Sequence, residues 1–245
     1  MQDLRMVATA AGQLTGETLR HAELRIGAMA SWGCLIPAAA EKQALLESVL
    51  LQALGAPDRR RHPFGVAEAR PLPDGLELRL ESQQCVQALL DLLPYRERRG
   101  QRRGVTGLMA YGNGNAICVT MPHQAQVSAV SPRRAAPLVT VYGPRANSAA
   151  AQLDEHRDRL QAAGLRPAWG SEEIPGTKAS RREPLPRNTF AQHAASYNMG
   201  SALLRRTRFW QALAGHSGLS LSIALGAWSA FGLSTVSEHD ESDLT

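Results

Sequence analysis

Two stretches carry residue types and spacing that point to a chemistry: Arg59-Arg60-Arg61-His62 and Tyr95-Arg96-Glu97-Arg98-Arg99-Gly100-Gln101-Arg102-Arg103. A guanidinium is planar, always charged, and donates two parallel hydrogen bonds that match a phosphate. Clustered arginines with an adjacent tyrosine fit a surface that holds nucleic acid by its phosphates and stacks an unpaired base. The expected nucleic-acid contacts are therefore Arg59, Arg60, Arg61, Tyr95, Arg96, Arg98, Arg99, Arg102 and Arg103. A solvated Arg/Glu loop or a protein-partner patch is the competing reading. No helix-turn-helix, zinc-finger or RNP motif accompanies the clusters.

Other local patterns fail on context. Gly112-Asn113-Gly114-Asn115-Ala116-Ile117 begins like a dinucleotide fingerprint, but a strand pattern follows it where a helix is needed. Gly176-Thr177-Lys178 breaks the Gly-Lys pair of a phosphate loop. Gly215-His216-Ser217-Gly218 has Leu219 at the fifth position of a nucleophile elbow. The seven histidines are scattered, and none pairs at helical spacing as a zinc site requires. His156 sits among Asp154, Glu155 and Asp158, a run expected to form a solvated helix face. No catalytic residue, metal ligand or cofactor is expected, and an enzyme has no positive support.

Charge is segregated along the chain. Of the 27 basic residues only Lys42 and Lys178 are lysines. Residues 59–104 and 171–208 each carry +4, whereas residues 209–245 carry −4 and end in an acidic tail. Such asymmetry points to an anionic partner or an interaction tail more than to a fold. Cys34, Cys85 and Cys118 are odd in number and far apart, without a CxxC pair, so a reducing cytoplasmic setting is expected. The N-terminus lacks the basic and apolar regions of a signal peptide.

The elements that must position the arginines follow from periodicity. Residues 1–36 read as glycine-interrupted helix, and residues 38–54 as a helix in which Ala38, Leu45, Leu46, Val49, Leu50 and Leu54 recur at helical spacing, with Gly55 and Pro57 as its stop. Gly65–Arg70 and Leu76–Glu81 read as strands joined by an Asp74-Gly75 turn. Ser82 is placed to cap a helix to Leu93. Tyr95–Gly104 reads as an arginine-dense loop. Val105–Met121 reads as a hairpin turning at Gly112–Asn115. Leu138–Tyr142 is a strand, Asn147 or Ser148 caps a helix to Ala163, Gly164 stops it, and Leu165–Trp169 returns as a strand.

Residues 138–169 resemble half of a SPOR-type peptidoglycan-binding domain, in which a strand, a helix and an Ala-Gly-Leu return recur. No diagnostic motif accompanies the likeness, and no function is carried over from it. Residues 171–188 read as a linker, and Thr189–Leu213 as a helix. Phe209–Ser237 holds no Asp, Glu, Lys or Arg, and its centre, Leu219–Leu233, is a candidate membrane contact.

The expected fold is α+β: a small, mostly antiparallel sheet with helices on one face, a helical N-terminal region and a helical C-terminal arm. The expected boundaries are 1–57, 58–170, 171–188 and 189–245. The expected function is that of a non-enzymatic accessory or adaptor protein on an anionic partner, above all nucleic acid. The alternative is a membrane-associated assembly component that docks through residues 209–237.

Overall fold

The computed structural model describes residues 4–29, 35–54, 62–72, 75–98, 100–105, 107–121, 136–144, 148–169 and 198–209. Helices α1 (Leu4–Thr15) and α2 (Leu19–Gly27) form a hairpin. Gly16 turns the chain with φ +80°, and the Thr18 hydroxyl accepts from the His21 N–H to cap α2. Leucine spacing does not reveal this pair, because its buried stripe is Val7, Ala8 and Ala11 against Ala22 and Ile26. The buried carboxylate of Glu17 accepts from Arg25 at 2.7 Å, while a second Arg25 nitrogen donates to the Leu35 carbonyl.

Helix α3 (Glu41–Leu54) leads to strands β1 (Val66–Leu72) and β2 (Gly75–Leu80), then to α4 (Gln83–Leu90). The Ser82 hydroxyl accepts from the Cys85 N–H, so the expected cap is present. Strands β3 (Tyr95–Arg96) and β4 (Arg102–Arg103) come next, and then β5 (Met109–Asn113), β6 (Ala116–Thr120) and β7 (Leu138–Tyr142). Helix α5 (Ala149–Ala162), capped by Ser148, leads to β8 (Arg166–Pro167). Residues 198–205 are again helical.

The fold is α+β. The main sheet has order β1-β2-β7-β6-β5 and is antiparallel except for the parallel β2–β7 pair. Alternation sets its two faces. Leu76, Leu78, Val139, Val141, Ile117 and Val119 line one face and pack against leucines of α3 and α4 and against Leu153 of α5. Glu77, Arg79, Thr140 and Tyr142 occupy the alternate positions. The β5–β6 hairpin is shorter than expected. Its turn is Gly114–Asn115, with the positive φ (+61°) on Gly114 alone, the pattern of a II′ turn. Gly112 is required where it stands, since a Cβ there would come within 2.8 Å of the Ala150 nitrogen of α5.

A buried ion pair ties the 198–205 helix to this core. Glu47 of α3 and Arg205 meet at 2.6 Å with side chains 0% and 1% exposed. Arg205 also donates to the carbonyls of Pro37 (2.7 Å), Leu72 (3.2 Å) and Gly75 (3.1 Å). Ser201 Oγ and Gln43 Nε2 complete the shell of the carboxylate, and Gln43 exchanges two hydrogen bonds with Leu138 of β7. Arg205 therefore does not belong to a solvated arginine cluster. It clamps the 198–205 helix onto α3 and the β1–β2 turn.

No helix among the described residues is long and apolar enough to cross a membrane. Of the uncharged segment 209–237 only Phe209 lies within the described residues, and the linker 171–188 lies wholly outside them.

Candidate anion-binding site

The stretch 95–104, expected as a loop, is a small hairpin. β3 pairs antiparallel with β4 on one side and with β8 on the other. Glu97 N donates to Gln101 O and Gly100 N to Glu97 O, closing the turn at 2.9 and 2.8 Å. β8 completes this second sheet. The return strand after α5 does not rejoin the sheet that contains β7 but enters this second sheet. Ala168 N donates to Pro94 O at 2.9 Å, which holds the end of β8 beside the start of β3.

The register is the informative part. Arg96 stands directly opposite Arg102 on one side and Arg166 on the other. Directly opposed positions share a face of the sheet, so three arginine positions form one cross-strand row, spaced by roughly 4.8 Å per strand. Tyr95 stands in the neighbouring row, between Arg103 and Pro167. The nine expected contacts are therefore divided. Arg96 and Arg102 share one face, and Tyr95 and Arg103 share the other. Arg98 lies over Gly164 at the C-terminus of α5, where the helix dipole favours a cation. Arg103 Nε donates to Glu97 at 2.8 Å, and that carboxylate raises the pKa of its guanidinium. Arg59, Arg60, Arg61 and Arg99 lie outside the described residues, and for Arg102 the backbone alone is described. His62, which ends the first cluster, is engaged with Glu81 through both its N–H and its ring.

The edge of the main sheet shows the opposite arrangement. There Glu68 is opposite Arg79 and Arg70 is opposite Glu77, with N–O distances of 3.4 and 3.2 Å. These pairs line a groove of about 240 Å³ with His21 and Tyr142, and His21 Nδ1 lies 2.7 Å from Glu68. Burial and the neighbouring Glu77 push the Tyr142 hydroxyl up from its usual pKa, so it stays protonated. Each arginine of β1–β2 faces a carboxylate, whereas each arginine of the β4–β3–β8 row faces another arginine.

Sequence reasoning missed Arg166 and misread His156. Only the pairing of β8 brings Arg166 to the row. His156 is not on a solvated face. It lies on the buried stripe of α5 with Gln152 and Leu153, 2% exposed, and packs at a tilt of 39° against Trp169 with ring centroids 5.3 Å apart. The spacing of Leu153, His156 and Leu160 was the available signal. Gln87 Nε2 and an Arg159 guanidinium nitrogen, both donors, each lie 3.3 Å from Nδ1. Nδ1 therefore accepts, and the proton sits on Nε2, which is buried without a hydrogen-bond partner. Burial lowers the pKa of His156, Arg159 lowers it further, and Asp91 opposes them.

That shift predicts an acid-side loss of stability. The unfolded chain takes up a proton near the ordinary histidine pKa of about 6.5, while the folded chain resists it. The contribution of His156 is thus complete above that pH and falls as the pH drops toward the folded value. Denaturant midpoints of wild type and His156→Leu, measured from pH 7.5 to 5, are expected to converge on the acid side. Parallel curves would remove His156 from the account.

Among the described residues no three His, Cys, Asp or Glu side chains converge as a metal site would need. No family model, curated protein or solved structure matches this chain.

Proposed function

We propose that the protein is a non-enzymatic accessory or adaptor protein that holds nucleic acid by its phosphates, using the arginine row of the β4–β3–β8 sheet. The observation that carries this reading is the register itself. Like charges directly opposite one another cost a sheet about 0.2–1 kcal/mol per pair. The row places two such pairs side by side with no carboxylate in it. The same chain pairs arginine with glutamate in register on β1–β2, so a row of directly opposed arginine positions is a feature that a polyanion would relieve. Backbone contacts of this kind hold any sequence, in keeping with the absence of a base-reading motif. A reducing, cytoplasmic setting accords with Cys85 and Cys118, which are free and buried.

The test is fluorescence anisotropy against generic single- and double-stranded oligonucleotides across a salt series. Log affinity is expected to fall linearly with log salt, by about 0.9 per phosphate neutralised on duplex and about 0.7 on single strands. Absence of binding at about 50 mM salt would overturn the reading.

A second reading rests on the charge-free run Phe209–Ser237. In it the protein is a membrane-associated assembly component, and Ile223→Arg releases it from membranes. If that variant still pellets with membranes, the second reading falls.

A further inference from the structure

The two edges of the five-stranded sheet are built differently. β1 carries a bulge between Val66 and Glu68, the N–H-less Pro71 and two charged residues, and α1 packs beside it. Arg208 reaches the Ala67 carbonyl at 3.4 Å. Bulges, prolines, charges and covering elements are the devices that keep an edge from pairing with another chain. β5, Met-Ala-Tyr-Gly-Asn, has no charge, no proline and no bulge. Among the described residues no strand pairs with its outer side. Tyr111, at its centre, is 49% exposed.

From this contrast we infer that β5 is an interface between two copies of this chain, joined edge to edge and antiparallel into one continuous sheet. The pairing register follows from the hairpin. In a two-residue hairpin the closing pair, Asn113 and Ala116, exchanges both hydrogen bonds, and the pattern then alternates. Ala110 and Gly112 are therefore the residues whose N–H and C=O turn away from β6. Two copies satisfy all of these groups at once when Ala110 of each stands opposite Gly112 of the other. That arrangement has two-fold symmetry and sets Tyr111 against its own counterpart, in a non-hydrogen-bonded pair with Cα atoms about 4.5 Å apart. No charge from either strand enters the seam. The first turn of α5 lies over Gly112, and its exposed residues Ala150 and Ala151 have side chains small enough to let a second sheet approach. A second copy is the fitting occupant because β5 is complementary to itself in this register.

The test is the mass of the full-length protein in solution by chromatography with light scattering, across a concentration series. A dimer is expected for wild type. Monomers are expected for Tyr111→Lys, which opposes two charges at the two-fold axis, and for Ala110→Pro, which deletes an outward N–H that β6 does not use. Thermal melts followed by circular dichroism show whether each variant is folded. As an independent measure, Tyr111→Cys in a Cys118→Ala background is expected to cross-link under mild oxidation, since the Cα separation lies within disulfide reach. A wild type that stays monomeric throughout the series would overturn the inference. So would a dimer that survives in a folded Tyr111→Lys, or a Tyr111→Cys that fails to cross-link.

Discussion

Replacing Glu47 by leucine is expected to cost about 3–5 kcal/mol of stability. The reason is asymmetric. In the native protein Arg205 is 1% exposed, and its five donor positions are filled by Glu47 and three backbone carbonyls. Removing the carboxylate leaves a buried, uncompensated cation, whereas removing both charges does not. A Glu47→Leu/Arg205→Met double variant should therefore recover part of the loss. Recovery is incomplete because the carbonyls of Pro37, Leu72 and Gly75 lose their donor, at about 1–3 kcal/mol for each one left unsatisfied. Denaturant midpoints of the two single variants and the double variant decide the matter. A single-variant loss below about 1 kcal/mol, the size of a surface pair, would show that the clamp does not hold the 198–205 helix.

The second large effect is on binding and runs opposite to stability. Changing Arg96, Arg102 and Arg166 together to threonine is expected to weaken nucleic-acid affinity by roughly a hundredfold at low salt, taking each lost phosphate contact at the modest end of a charge-assisted hydrogen bond. The slope of log affinity against log salt should flatten by about 3 on duplex. Exposed Arg166 changed alone to threonine should leave the fold as stable or raise it by about 0.2–1 kcal/mol, because one like-charge opposition disappears. Arg70→Thr and Arg79→Thr form the control, since each of those arginines already faces a glutamate in register. Equal loss of binding from both sets would mean that overall positive charge, not the row, attracts the nucleic acid. Loss of stability without loss of affinity would make the row structural.

The two effects differ in how far they were legible in the sequence. Arg96 and Arg102 stand out because they lie in a dense local run. Arg166 does not, since nothing near it announces that β8 will pair with β3. Glu47 reads as an ordinary polar position on a leucine-rich helix, and its partner lies 158 residues away. The Gln43–Glu47 spacing of one helical turn marks a polar stripe on α3, but nothing local says that the stripe is buried. His156 was hidden by its acidic neighbours, although its spacing from Leu153 belongs to the inward stripe of α5.

Where a residue's structure depends on its immediate neighbours, the amino-acid order was sufficient. The alternation of Leu76, Leu78 and Leu80 determined a half-buried strand, and the run Gly112–Asn115 located the hairpin turn, though not its central pair. Ser82 and Ser148 determined where two helices begin, and Gly164 where one ends. These outcomes follow from side-chain period, backbone φ and a hydrogen bond reaching three residues ahead. Tertiary structure alone decided that β8 leaves the path of β7 for a second sheet. It also decided that Arg96 lies between two other arginines, that Arg205 is buried on Glu47, and that β5 stands at an edge of the main sheet. Each of these is a pairing between segments far apart in the chain, and strand order and register are chosen by the whole core's packing, which no local pattern encodes.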